Sequence, residues 1–247
     1  MATQLLIYER ALPVSSARHG KWSVEVGNDY SFSKTVNSVP LLAVEFPNAT
    51  GEYPIVFAGS GDTVMPAVIL GLRGQENLFL SDNAWKANYI PAFVRRYPFV
   101  FSSNADNSQF TLCIDEAFHG FNQDGKGARL FTDEGKPSAY VENVLKFLQE
   151  YQVQFLRTQA FCKKIKELNL LDPMQAEVTL PAGARTALTG FQAINRQRLK
   201  ELSGDKLAEL AKTDELELIY LHLSSLRNFN ALKDRLAALE SKQPAAA

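Results

Sequence analysis

Cysteine is nearly missing from this chain of 247 residues: Cys113 and Cys162 are the only two. That excludes a disulfide-dense scaffold, and their separation fits no metal-ligand spacing. Both are expected to be reduced thiols that pack as small hydrophobes. Histidine is also scarce, with His19, His119 and His222. No His-Glu-X-X-His, Cys-X-X-Cys or Gly-X-Ser-X-Gly occurs, so no ready-made metal centre or nucleophile elbow is on offer. An excess of positive charge is missing as well. Lys plus Arg is 26 against 27 Asp plus Glu, for a net charge of -1. A dedicated nucleic-acid binder carries a basic footprint, so nucleic acid is not an expected partner. Long apolar runs are absent too. The longest, Pro66 to Leu72, falls far short of the roughly 20 residues of a membrane span. Leu5 to Tyr8 is shorter than the roughly 7–15-residue core of a signal peptide. The expectation is a cytoplasmic protein without a membrane span. With 14 Gly and 11 Pro, the composition is neither collagenous nor low-complexity.

What the chain does have is a change of period near residue 138. Before it come short apolar runs bounded by turn residues: Leu5–Tyr8, Trp22–Val26, Tyr53–Phe57, Val64–Leu72, Asn77–Leu80, Phe99–Ser102 and Gln109–Ile114. Such runs read as strands, and their close spacing suits antiparallel pairing. Leu41–Phe46 fits a helical turn or a strand. After Pro137, the residues Val141, Val144, Leu145, Leu148, Phe155, Leu156, Ile165 and Leu168 recur at helical spacing. They predict one long helix from Ser138 to Leu168, with Arg157-Thr158 as a place for a kink. Strands are expected again at Val178–Leu180 and Ala187–Asn195. Helices follow at Arg196–Leu202, at Asp205–Ala211 with Asp205 as N-cap, and from Asp214 to Glu240. Thr213 is the expected cap of the last, which should break near Asn228-Phe229-Asn230. Gln243–Ala247 is an expected frayed tail. The fold class is α+β: a largely antiparallel sheet in the N-terminal half, with a long helix and a C-terminal helical group packed on it. A β-rich part covers 1–137 and a mainly helical part 138–247.

Several motifs invite chemistry and admit a plainer reading. His119 follows Asp115-Glu116, but the spacing matches no standard metal site. Asn122 to Gly127 (NQDGKG) is similar to a calcium loop, yet Lys126 stands where an oxygen ligand belongs, so a Gly-rich hairpin turn is expected. Gly59–Thr63 and Gly71–Gly74 lack the endings of phosphate-binding loops. No metal or cofactor is expected. His222 sits between Leu218 and Leu226 on a helix, as a proton shuttle or ligand contact, or more plainly as a half-buried ring bonded to a hydroxyl or carbonyl.

The strongest site candidate is Trp85–Phe99 (WKANYIPAFVRRYPF), with two prolines, five aromatics and Arg95-Arg96. Guanidinium groups beside rings grip carboxylates, phosphates or peptide main chain. Arg95, Arg96 and Tyr97 are the expected contact surface, with Glu45, Arg73, Glu76, Trp85 and His222 as neighbours. In the plainer reading the aromatics fill the core and the arginines pair with Glu45 or Glu76. With Arg96 on that contact surface, Arg96→Ala is expected to weaken binding and to leave the melting temperature nearly unchanged.

Taken in order, several segments resemble the SapC family. They are Pro40–Pro47 (PLLAVEFP), Tyr53–Phe57 (YPIVF), Leu70–Phe79 (LGLRGQENLF), Tyr89–Phe99 (YIPAFVRRYPF), Ile114-Asp115-Glu116, Gly127–Phe131, Leu188–Phe191 and Leu218–Leu226 (LIYLHLSSL). The resemblance covers about residues 5–240, as one continuous domain. It implies a bacterial protein of a family named for association with surface-layer loci. Members tend to be encoded near TonB-dependent receptors and tryptophan-halogenase-like flavoproteins. The label is shared with a peptide-transport permease, whose membrane spans this chain lacks. The resemblance carries over no catalytic residue. The expected function is a non-enzymatic binding or adaptor protein serving a surface-layer, secretion or nutrient-uptake system, with a protein or peptide partner. The alternative is an enzyme or enzyme accessory acting on a peptide or small molecule, alongside a flavin-dependent halogenase-like protein. A concave pocket collecting Arg95, Arg96, a carboxylate and His222 would favour that alternative.

Overall fold

The computed structural model describes residues 5–59, 61–104, 108–179 and 185–242. Apolar runs between turn residues form the first elements: β1 (Ala11–Pro13), α1 (Ser16–His19), β2 (Ser23–Val24), β3 (Ser38–Pro40), α2 (Phe46–Ala49), β4 (Ile55–Ala58) and β5 (Met65–Ile69). Next come β6 (Leu80–Ser81), β7 (Ala84–Trp85), α3 (Ala92–Arg95), β8 (Phe99–Ser103), β9 (Phe110–Asp115), β10 (Phe121–Asn122) and β11 (Ala128–Arg129). The remainder is α4 (Ala139–Glu167), β12 (Leu171–Thr179), β13 (Arg185–Ile194), α5 (Arg196–Lys200), α6 (Gly204–Lys212), α7 (Glu215–Ser225) and α8 (Asn228–Lys242). The fold is α+β, and the paired strands run antiparallel.

The largest sheet has the order β12-β13-β4-β5-β3. Ile55, Val56, Phe57 and Val68 are fully buried, because β4 and β5 are covered on both faces and so read as unbroken apolar runs. A second sheet, β1-β9-β8, and a third, β10-β2-β11, enclose a smaller core with Phe99, Ile114, Phe118 and Leu130. The helix α4 joins the two cores. Val141 and Leu148 enter the smaller one, whereas Phe161, Cys162 and Ile165 enter the larger. Ser138 caps it by accepting the Val141 N–H, Glu142 lies in its positive first turn, and Lys164 and Lys166 lie in its last.

The elements depart from the sequence reading in several places, each with a local cause. Leu5–Tyr8 is a turn, not a strand, since the Tyr8 N–H bonds back to the Leu5 carbonyl. Leu41–Phe46 resolves into a 3-10 turn over Ala43–Glu45 that runs into α2. α4 passes unbroken through Arg157-Thr158. The NQDGKG loop is not a hairpin, because β10 and β11 flank β2 on opposite sides. Its Asn122 carboxamide accepts from the Asp124 and Lys126 N–H groups. Ser203, not Asp205, caps α6. Asp214, not Thr213, precedes α7, while Thr213 donates its hydroxyl back to the end of α6. The expected break near Asn228 separates α7 from α8. Strand pairing after α4 begins at Leu171, earlier than the apolar pattern suggested, and Leu180 and the tail 243–247 lie outside the described residues.

Candidate functional site

Pro91 opens α3, a single turn, and consecutive residues on such a turn point roughly 100° apart. Arg95 and Arg96 therefore cannot face the same way. Arg96 is 4% exposed, and its guanidinium lies 4.3 Å from the Phe93 ring, 5.0 Å from Tyr151 and 5.7 Å from Tyr8. Arg95 is the exposed member. Its guanidinium stands 5.5 Å from the Phe147 ring and 5.8 Å from Tyr89, and its Nε donates to the Ile90 carbonyl at 2.9 Å.

Beneath Arg95 is a buried carboxylate. Glu45 accepts from the Leu42 N–H at 2.8 Å, the Ala92 N–H at 2.7 Å and the Tyr89 hydroxyl at 2.7 Å. Burial raises its pKa above the ordinary glutamate range, and these hydrogen bonds, together with the nearby Arg95 charge, act against that rise. Trp85 joins the same network: its indole N–H donates to the Tyr53 hydroxyl at 2.8 Å, and Tyr53 donates to the Tyr89 carbonyl. Glu45, Trp85 and Arg95 are thus linked through Tyr53 and Tyr89.

Tyr97 faces another direction. Its ring stacks on Phe32 with centroids 4.0 Å apart, and its hydroxyl donates to Asp115. Asp115 is fully buried and also accepts from the backbone N–H groups of Glu9, Arg10 and Ala117. This strap fastens the N-terminal segment to the end of β9.

Arg73 and Glu76 lie elsewhere. Arg73 pairs with Glu240 of α8 and sits 3.9 Å from Glu76. The two line a cleft of about 560 Å³ with Lys34, Asp82 and Asn83. Among the described residues, no hydrogen bond or ion pair connects either to the Arg95 network.

His222 is enclosed where two strands part. β13 pairs with β4 only at Phe191–Ala58 and Gln192–Phe57. Beyond those pairs, the ring spans the gap: Nδ1–H donates to the Ile55 carbonyl at 2.8 Å, and Nε2 accepts the Ile194 N–H at 3.1 Å. The Ser225 hydroxyl takes the Ile55 N–H at 2.9 Å. The side chains of α7 thus supply hydrogen bonds that a neighbouring strand would otherwise make. Burial lowers the His222 pKa to about 4.

The sequence reading did not single out His19. It is fully buried, accepts the Ser15 N–H on Nδ1, and lies 3.0 Å from Glu116 through Nε2. Arg10 and Arg18 close on the same carboxylate. No local pattern announces a contact between residues so far apart in the chain. His119, by contrast, is 62% exposed at its side chain and faces Asp29. No cluster of three potential metal ligands occurs among the described residues.

Two further clefts hold none of the expected site residues. One, of about 370 Å³, lies between Gly61, Val64 and the C-terminal half of α4, at Cys162. Burial pushes that thiol up to about 12, far from a reactive thiolate. The other, about 460 Å³, lies at Gly59, Met174 and Gly190, beside the irregular pairing of β12 with β13. Both cysteines are free and buried. No helix among the described residues is long and apolar enough to cross a membrane.

Compared with known proteins, the chain matches the SapC family model over residues 14–232. No curated protein and no solved structure matches it.

Proposed function

The chain belongs to the SapC family, and from that premise we propose that it is a non-enzymatic binding or adaptor protein whose contact surface centres on Arg95. One observation carries this reading: Arg95 is a solvent-facing guanidinium already held in place, anchored through Nε and seated against Tyr89 and Phe147. A positioned side chain gives up less freedom on binding than a loose one. The planar fork of arginine matches carboxylates and peptide main chain. Glu45, the nearest buried acid, directs its carboxylate to Leu42, Ala92 and Tyr89 rather than into an ion pair with Arg95. Arg96, buried against Phe93, backs this turn from inside, whereas Tyr97 turns away toward Phe32 and Asp115 and takes no part in the surface. The partner is a protein or peptide presenting an acidic group, in a surface-layer, secretion or nutrient-uptake system.

An array of short acidic peptides, with amidated and neutral controls, is the probe. The native chain should retain acidic peptides selectively. Arg95→Ala should weaken retention by about tenfold, the scale of one lost charged hydrogen-bonding contact. Arg73→Ala should leave it unchanged. Equal loss in both variants, or no preference for acidic peptides, refutes the assignment.

A further inference from the structure

The inner stripe of α4 builds the core, and its outer face carries a second stripe. Lys146, Gln149, Val153, Leu156, Ala160 and Lys163 follow one another at intervals of three and four, so they share one side of the helix. Val153 is 45% exposed and Leu156 57% exposed. Ala160 and Gln149 are exposed beside them. A solvent-facing helix side is ordinarily charged. Here the centre is apolar, and one flank holds the neutral Gln152 and Gln159. The other flank holds Glu150 and Arg157. Among the described residues Arg157 has no hydrogen-bond or ion-pair partner, and Glu150 receives the Gln154 amide of its own helix at 2.7 Å. Alternating steps of three and four with an apolar centre make the seam of a helix pair.

We propose that two copies of the chain associate through α4, antiparallel, about a two-fold axis near Val153 and Leu156. A two-fold interface brings residue i to j and j to i. Placing Val153 against Leu156 of the second copy sets Gln149 against Ala160. It also brings Glu150 beside Arg157, and each of these contacts occurs twice. In a parallel pair each flank would instead meet the opposite flank of the second copy, which sets Arg157 beside the neutral Gln152 and parts it from Glu150, so charge favours the antiparallel arrangement. Lys146 and Lys163 meet at the two ends of the seam, each with an acid one turn away: Glu142 and Glu167, the latter 3.9 Å from Lys163. The seam from Lys146 to Lys163 is about 27 Å long. One helix pair with this apolar content lies at the small end of specific interfaces, so a roughly micromolar dimer is expected. Phe147, which supports Arg95, lies well round the helix from the Val153–Leu156 seam. Pairing would leave Arg95 open on both copies.

Light scattering during size-exclusion chromatography should give a mass that moves from one chain to two as concentration rises. Val153→Glu combined with Leu156→Glu places four acids in the seam. It should weaken association at least tenfold while leaving the far-ultraviolet circular dichroism unchanged, since both positions are exposed. In a second variant, Val153→Cys with Leu156→Cys should yield a covalent dimer under mild oxidation. Glu142→Cys alone should not, because in the antiparallel pair its two copies stand roughly 37 Å apart. A mass of one chain at concentrations up to about 1 mM, a dimer indifferent to the glutamates, or efficient cross-linking through Glu142→Cys would each overturn the proposal.

Discussion

A guanidinium enclosed by aromatic faces is held by packing as much as by charge, which separates the two arginines of α3. Arg96→Ala should remove the contacts with Phe93, Tyr151 and Tyr8 and open a void, costing about 2–4 kcal/mol in urea denaturation. Arg95→Ala should stay within about 0.5 kcal/mol of the native chain, because its side chain is exposed. The reverse order would mean that Arg95 braces the fold. The exposed position is therefore the one at which binding is tested without loss of stability. The density of aromatics and the paired arginines were legible in the sequence. Which arginine turned inward was not, because Tyr8 and Tyr151, which enclose Arg96, come from distant segments. His222 behaves similarly: its helical position was legible, but the strand gap that it spans was not. Its pKa falls from 6.5 to about 4 on folding. The folded state thus refuses a proton that the unfolded state accepts, and stability is complete above about pH 6.5 and lost as pH falls toward 4. The loss from this group is about 3 kcal/mol. His222→Gln, which can donate and accept without titrating, should lose less stability than the native chain between pH 7 and 4.5. Parallel losses in the two proteins would remove His222 from the acid response.

At the scale of elements, α4 was the most legible part of the chain, since its caps and apolar period agree with its observed span. The details of its buried face were less so. Leu156 was expected inside and is 57% exposed, whereas Tyr151, Thr158 and Cys162 are buried. A threonine can occupy such a position because its hydroxyl is used twice. It donates to the Gln154 carbonyl at 2.7 Å and accepts the Ala43 N–H at 2.9 Å. That acceptor is what joins the helix to the turn carrying Glu45. Thr158→Val keeps the shape and removes the acceptor, so the Ala43 N–H is left buried without its bond. The expected cost is about 1–3 kcal/mol by chemical denaturation. Thr158→Ser, which retains the hydroxyl, should recover a large part of it. No difference between Val and Ser would show that the hydrogen bond contributes nothing. Caps and short strands were less legible than the helix for a related reason. Ser203 displaces Asp205, and Leu5–Tyr8 gives way to a turn, because each outcome depends on which backbone donor finds an acceptor.

Across the whole molecule, the pairing that no local pattern discloses is the one that unites the chain. β13, which follows α4, lies beside β4, which precedes it, so the large sheet is built from both sides of the change in period near residue 138. α4 then runs from one apolar core to the other, with Val141 and Leu148 in the smaller and Phe161 and Ile165 in the larger. If the smaller core came apart alone, half of α4 would lose its support, and helices without packing are marginal in water. The parts 1–137 and 138–247 should therefore unfold together. The two tryptophans allow this to be measured, since Trp22 packs against the smaller core and Trp85 lies in the larger. Trp85→Phe leaves Trp22 as the fluorescent reporter, and Trp22→Phe leaves Trp85. Within each variant, the urea midpoint seen by fluorescence should coincide with that of helical circular dichroism, as a single cooperative transition requires. Comparison within a variant matters, because Trp85→Phe also removes the hydrogen bond to Tyr53 and lowers stability by its own amount. A Trp22 signal lost at clearly lower urea than the helical signal would mean that the smaller core opens first and that α4 does not couple the two.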